Sequence, residues 1–362
     1  MKKLFSLSIV IFLIFSFSIT SVSYEETNEV WDSIDDNTKE YLNELGIDEI
    51  SFEEIFEIKP SRVMKFLLDI VFEKGITIVD KFIVIFVVLI ISSIASSFLK
   101  DSNNLSQVVN YVCMLIIFSF VMESISRILL DAATGIKNST IFINTYLPVM
   151  TGIIVASKNP SLALTYNSFS IFLSNLISIF ADKVFVPLIS IIFSFNIISS
   201  FSAESYQLRV IKTIKRLIVV VLSLFSTVYT GMLTTQSILA SSSDSIALKG
   251  IKFVSGTFIP VVGGNVGDAI SSVLSSFLIM KNTLGIFVII VIILINIPVM
   301  LEMLVWYFFF SLCSIVSSLL NMNNITEILD SLTSTIALLN IILFFITFVL
   351  IISTGIIIVM GK

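Results

Sequence analysis

Histidine is absent from all 362 residues, and only two cysteines occur, Cys113 and Cys313, both inside apolar runs. Without imidazole there is no His-based acid–base catalysis, and with thiols this sparse the usual zinc, copper and haem ligand sets are missing. No cysteine precedes Cys113, so an exported N-terminal region carries no disulfide. Charge is scarce too: 13% of residues are Asp, Glu, Lys or Arg, against roughly 25% in a soluble domain. No Walker loop, no Ser/Lys pair at a working spacing and no helical Asp pair is found. These absences argue against an enzyme, a cofactor or a nucleic-acid partner.

What the chain does have is apolar surface, with 56% hydrophobic residues and a mean hydropathy of +1.05. That much cannot be hidden in one aqueous core, so lipid is the expected solvent. The charge is also segregated. Residues 24–58 hold 13 of the 26 acidic residues and one basic residue, Lys39, whereas residues 59–362 hold 13 acidic and 18 basic ones.

The N-terminus reads Lys2-Lys3, then Leu4 to Ile19 apolar, then Ser21-Val22-Ser23. This pattern predicts a signal peptide over 1–23, with an uncleaved anchor as the alternative; either places the next segment outside the cytoplasm. Residues 24–60 read as a small acidic extracytoplasmic region. Val30, Trp31, Ile34, Tyr41, Leu42 and Leu45 fall mostly at helical spacing, and Gly46 is placed as a terminator. About 37 residues bury little core alone, so this region is expected to pack on the membrane domain or on another protein. Residues 61–80 alternate Val63, Phe66, Leu67 and Ile70 with Arg62, Lys65, Asp69 and Glu73, an amphipathic helix suited to the membrane interface. Residues 81–362 form the polytopic domain.

Its candidate spans are 82–99, 108–130, 141–157, 161–180, 184–200, 217–240, 284–301, 303–320 and 335–360. The expected fold is therefore all-α with about seven to nine transmembrane helices. Leu284 to Leu320 exceeds one crossing, and Pro298 with Glu302 is the expected point of reversal. This scheme puts the basic residues Arg209, Lys212, Lys215 and Arg216 inside and residues 321–334 outside, as the positive-inside rule asks. It also leaves Lys137, Lys249 and Lys252 outside, against that rule.

Residues 251–283 differ from the spans. Small polar residues and Gly263-Gly264-Asn265 interrupt apolar runs, which suits a re-entrant stretch lining a wet cavity or, equally, a surface hairpin. Tyr146-Leu147-Pro148-Val149-Met150-Thr151-Gly152 echoes Phe258-Ile259-Pro260-Val261-Val262-Gly263-Gly264. Val186-Pro187 pairs similarly with Ile297-Pro298. Two transporter-like repeats and chance matching in an apolar chain both account for this. Glu123 and Arg127 are spaced to pair with each other or to stand in a polar pathway. Asp182-Lys183 reads as a tight loop, and Asp268 and Lys281 flank an apolar run.

The run from Gly250 to Gly263 resembles the stage III sporulation protein AE family of endospore-forming Firmicutes. So do Asp268, Ser271, Ser275 and the run Lys281-Asn282-Thr283-Leu284-Gly285. The resemblance covers nearly the whole chain and is most specific around 250–285. It implies a multi-pass protein of the mother-cell membrane around the forespore. There it would join other stage III sporulation A proteins and a forespore-membrane partner in a feeding-channel-like transenvelope complex. The family supplies no catalytic residues to transfer. The candidate conduit or packing motif is Pro148, Pro187, Pro260, Gly263, Gly264, Asp268, Lys281, Asn282 and Gly285. A stand-alone secondary transporter of a small solute is the competing expectation; homo-oligomerisation is left open.

Overall fold

The structure is a computed structural model, and it describes residues 28–98, 103–156, 160–200, 209–229, 231 and 263–359. The expected signal segment 1–23, residues 251–262 and Pro260 lie outside the described residues. Every element is helical; no strand occurs among the described residues.

Three short helices form the acidic module: α1 (28–32), α2 (Asp36–Leu45) and α3 (Phe52–Phe56). Local chemistry sets their ends. The Asp35 carboxylate accepts from Thr38 N at 3.1 Å and from Thr38 Oγ1 at 2.9 Å, capping α2. Gly46, at φ 83°, ends the helix with its N–H on Asn43 O, and Ile47 N reaches Leu42 O. The positive φ favours glycine there, and a Cβ would also lie 2.0 Å from Arg62 Nη1, so the guanidinium that donates to Leu45 O would have to move. Ser51 caps α3, and Glu54 Oε2 accepts from the backbone of Asp48 and Glu49. Val30, Ile34, Leu42 and Leu45 are buried, as the helical spacing required, and Ile47 and Ile55 are buried beside them.

Long helices follow: α4 (Pro60–Phe98), α5 (Asn103–Ala156), α6 (Pro160–Phe180) and α7 (Val186–Ser200). Then come α8 (209–229), α9 (Gly263–Leu319) and α10 (Asn323–Val359). Among the described residues, five helical stretches are long and apolar enough to cross a membrane. Several of the expected spans fuse into longer helices, and the 217–240 candidate runs past the described residues after 231. The 108–130 and 141–157 candidates are one 54-residue helix. Likewise, 284–301 and 303–320 belong to a 57-residue helix. At 1.5 Å per residue α9 is about 86 Å long, nearly three times a hydrocarbon core of about 30 Å. The expected reversal at Pro298 does not occur. Proline removes one backbone donor from α9, and Glu302 is satisfied by cations on two other helices, so neither residue stops the helix.

Two further expectations change in the same way. Asp182-Lys183 is not a loop but part of a π-helical turn, Ala181–Phe185, that joins α6 to α7. The wider turn precedes Pro187, whose ring would otherwise crowd the carbonyl of the preceding turn. Residues 61–80 are helical as expected, but they run without a break into the span that ends at Phe98.

A contact between α8 and α10 bears on the expected placement of 321–334. Lys215 Nζ donates to Ser331 O at 3.0 Å and to Ser334 Oγ. The basic foot of α8 and the 321–334 segment therefore lie together at one end of the bundle, not on opposite sides. The α9–α10 turn at this end is tight: Asn321 takes φ 59°, and Met322 N reaches Ser317 O.

α9 is the central helix. It packs on α10 along its length, on α4 and α5, and on the acidic module. Between residues 281 and 303 no α9 side chain is fully exposed. An 18-residue apolar run that hydropathy reads as a span is here largely enclosed by protein.

Candidate functional site

The residues singled out from the sequence do not gather at one point. Gly263, Gly264 and Asp268 belong to the first turns of α9. Lys281 is buried at 2% exposure, and Asn282 is half-buried beside it. Pro148 lies within α5, and Pro187 stands exposed at the start of α7.

Gly285 has a clear role. A Cβ there would lie 2.5 Å from Ile358 Cγ1 and 2.8 Å from Ile358 Cδ1, with Met150 Cε at 3.8 Å. It lets α10 and the turn after Pro148 close on α9, which is a packing function. Gly285→Ala is expected to cost about 1–3 kcal/mol through overpacking, read by thermal unfolding in detergent. Ile358→Ala in the same chain is expected to restore most of that loss. An equal loss in the double variant would count against this contact.

Charge collects instead midway along the helices, beneath the acidic module. Glu302 on α9 is 4% exposed. Its Oε2 lies 3.6 Å from Lys74 Nζ on α4, and its Oε1 lies 3.7 Å from Arg127 Nη2 on α5. One buried carboxylate thus ties three helices together. Lys81 Nζ meets Glu123 Oε2 at 3.7 Å and donates to Ser124 Oγ. The i,i+4 pair expected between Glu123 and Arg127 is therefore replaced by two interhelical contacts. An α4 running alongside α5 brings Lys74 and Lys81 within reach.

One turn and a half from Glu302, Asn296 Nδ2 donates to Ser139 Oγ at 2.8 Å and to Ile292 O at 2.9 Å. Its Oδ1 has no hydrogen-bond partner. Gly135 makes this contact possible, since a Cβ would stand 3.0 Å from Asn296 Oδ1. Sequence reading passed over Asn296, Ser139 and Gly135. The signal was a lone amide inside an apolar run, two residues before Pro298.

A cavity of about 200 Å³ opens between the module and this belt. Asp35 and Tyr41 line it from the module, Lys74 from α4, Asp131 and Asn138 from α5, and Glu302 from α9. Its lining is polar and roomy enough for water. Burial, and then the carboxylates of Glu73, Glu40, Glu44 and Asp35, push the Tyr41 hydroxyl above its ordinary range, so it stays protonated and able to donate. The module itself is held by apolar contacts. Trp31 stacks on Phe287 at 5.8 Å, and Tyr41 meets the edge of Phe66 at 5.3 Å.

No group of three or more Cys, Asp or Glu side chains is arranged to hold a metal among the described residues. The belt holds α4, α5 and α9 in register by charge, while the module rests on them through apolar contacts.

The family model described as stage III sporulation protein AE matches residues 37–361. Stage III sporulation protein AE of Bacillus subtilis (strain 168) is 25% identical over 186 residues. That alignment covers 51% of this chain and 47% of the relative, so the match spans about half the length of each. No solved structure matches the chain.

Proposed function

The chain belongs to the stage III sporulation protein AE family, and from that premise we propose that it is the membrane platform of a transenvelope sporulation complex. On this reading it sits in the mother-cell membrane around the forespore, and its acidic module meets partner proteins in the space between the two membranes. A sporulation role follows from the family; platform, location and partners are the proposal.

The observation that carries it is the seating of the module. Its apolar side is spent on α9 and α4, through Trp31, Leu42, Leu45, Ile47 and Ile55. Its other side leaves Glu29, Asp32, Asp36, Glu40, Glu44 and Asp48 exposed, with Glu49, Glu53 and Glu57 beyond them. A fixed, strongly acidic surface on a membrane-anchored body suits docking of a basic protein surface. The centre of the bundle is filled by α9, which favours a platform over a channel running through a single chain. A conduit, on this reading, forms where the chain meets its partners.

The test neutralises the exposed surface and leaves the seat intact. Glu40, Glu44, Glu53 and Glu57 become Gln, and sporulation and membrane level are measured together. A drop in heat-resistant spores of tenfold or more at unchanged protein level is expected. Normal sporulation with this variant would overturn the docking role. Solute uptake by the purified chain alone in liposomes would favour the stand-alone transporter instead.

A further inference from the structure

We propose that the foot of α8, with the groove between α6 and α8, is a binding site for one anionic phospholipid. The phosphate would rest on Arg209, Lys212 and Arg216, and an acyl tail would rise into the groove.

Three observations converge on it. The first is a concentration of positive charge. α8 carries four cations and no Asp or Glu over 209–229. Lys215 turns inward to Ser331 and Ser334, while Arg209, Lys212 and Arg216 stand exposed. Among the described residues none of these three lies within ion-pairing distance of an acid. On α10, Asp330 accepts from Ser314 Oγ, and neither it nor Glu327 pairs with these cations.

The second is the groove. It holds about 320 Å³, and its walls are almost wholly apolar: Phe172, Leu176 and Phe180 from α6, and Val221, Leu224 and Val228 from α8. Tyr229 would be a polar intrusion, but its hydroxyl is turned away to Val349 O at 2.8 Å and Ser353 Oγ at 3.1 Å.

The third is distance. From Arg216 to Leu224 is eight residues, about 12 Å along a helix. A lipid tail covers half of a hydrocarbon core, about 15 Å. A headgroup held at Arg216 therefore delivers its tail to the groove. Val220 and Leu224, both exposed, mark the path between them. Exposed cations would by themselves set orientation only. The apolar groove one tail-length above them is what makes a site.

The test uses the full chain in detergent, native mass spectrometry, and titration with dioleoylphosphatidylglycerol or dioleoylphosphatidylcholine. The wild type is expected to retain the anionic lipid at least tenfold better. Arg209→Gln/Lys212→Gln/Arg216→Gln is expected to abolish that preference, and the Lys-containing variant Arg209→Lys/Arg216→Lys to keep it. Leu224→Trp fills the groove without touching a charge, and it is expected to weaken retention several-fold. Equal retention of both lipids by the wild type would overturn the proposal. So would competition by millimolar glycerol phosphate together with an unaffected Leu224→Trp chain, since that pair of results describes a surface cation patch alone.

Discussion

Phe287→Ala is expected to lower stability by about 3–5 kcal/mol, the range for deleting a buried aromatic ring, and to unseat the acidic module. Phe287 has no exposed surface and stacks on Trp31 at 5.8 Å. Truncation therefore leaves a void in α9 at the point where α1 rests. The module is too small to keep its own core once that seat is gone, because Val30, Leu42, Ile47 and Ile55 are buried partly against the long helices. Trp306→Phe leaves Trp31 as the lone tryptophan reporter. In that background Phe287→Ala is expected to red-shift tryptophan emission and to open the 28–58 segment to protease before the bundle unfolds. Loss of stability with Trp31 emission unchanged would mean that the module does not depend on this stack.

Lys74→Ala/Arg127→Ala is expected to be the second large loss. It leaves Glu302 buried and without either of its cations. Uncompensated buried charges cost about 3–5 kcal/mol when the partner is removed. The two cations are themselves partly exposed, so each can return to water when Glu302 is removed. Glu302→Gln is therefore expected to cost much less than the double alanine variant. Adding Glu302→Gln to that variant is expected to recover most of the loss. Thermal unfolding of the four chains in detergent completes the cycle. If Glu302→Gln is as damaging as the double variant, the carboxylate acts through something other than these two partners.

The module was legible because its signals are local. Glycine at 46 and apolar residues one turn apart act within a single turn of chain, whereas the Asp35 cap on Thr38 was passed over. Their outcome needs no distant partner. The individual boundaries inside the membrane domain were not legible. Hydropathy finds an apolar window but not what lies against it, so 284–301 reads as a span whether lipid or protein covers it. Pro298 and Glu302 are ordinary stop signals by composition. They fail to stop α9 because Lys74 and Arg127 arrive from helices far earlier in the chain. The candidate site shows the same division. Gly285 was singled out from a motif, and the structure gives it a close contact with Ile358. Asn296, Ser139 and Gly135 carry no motif and become a unit only when α5 lies on α9.

The sequence by itself determined the helical class, the lipid-adapted composition and the acidic character of the N-terminal module, because propensity, hydropathy and charge belong to each residue. Only the tertiary structure decided which apolar runs join, which of them protein encloses, and that residues 321–334 share an end with the basic foot of α8. Those outcomes rest on pairs such as Lys215 with Ser331 and Glu302 with Lys74, brought together from more than one hundred residues apart. A buried charge or donor is stable only where the folded chain brings it a partner.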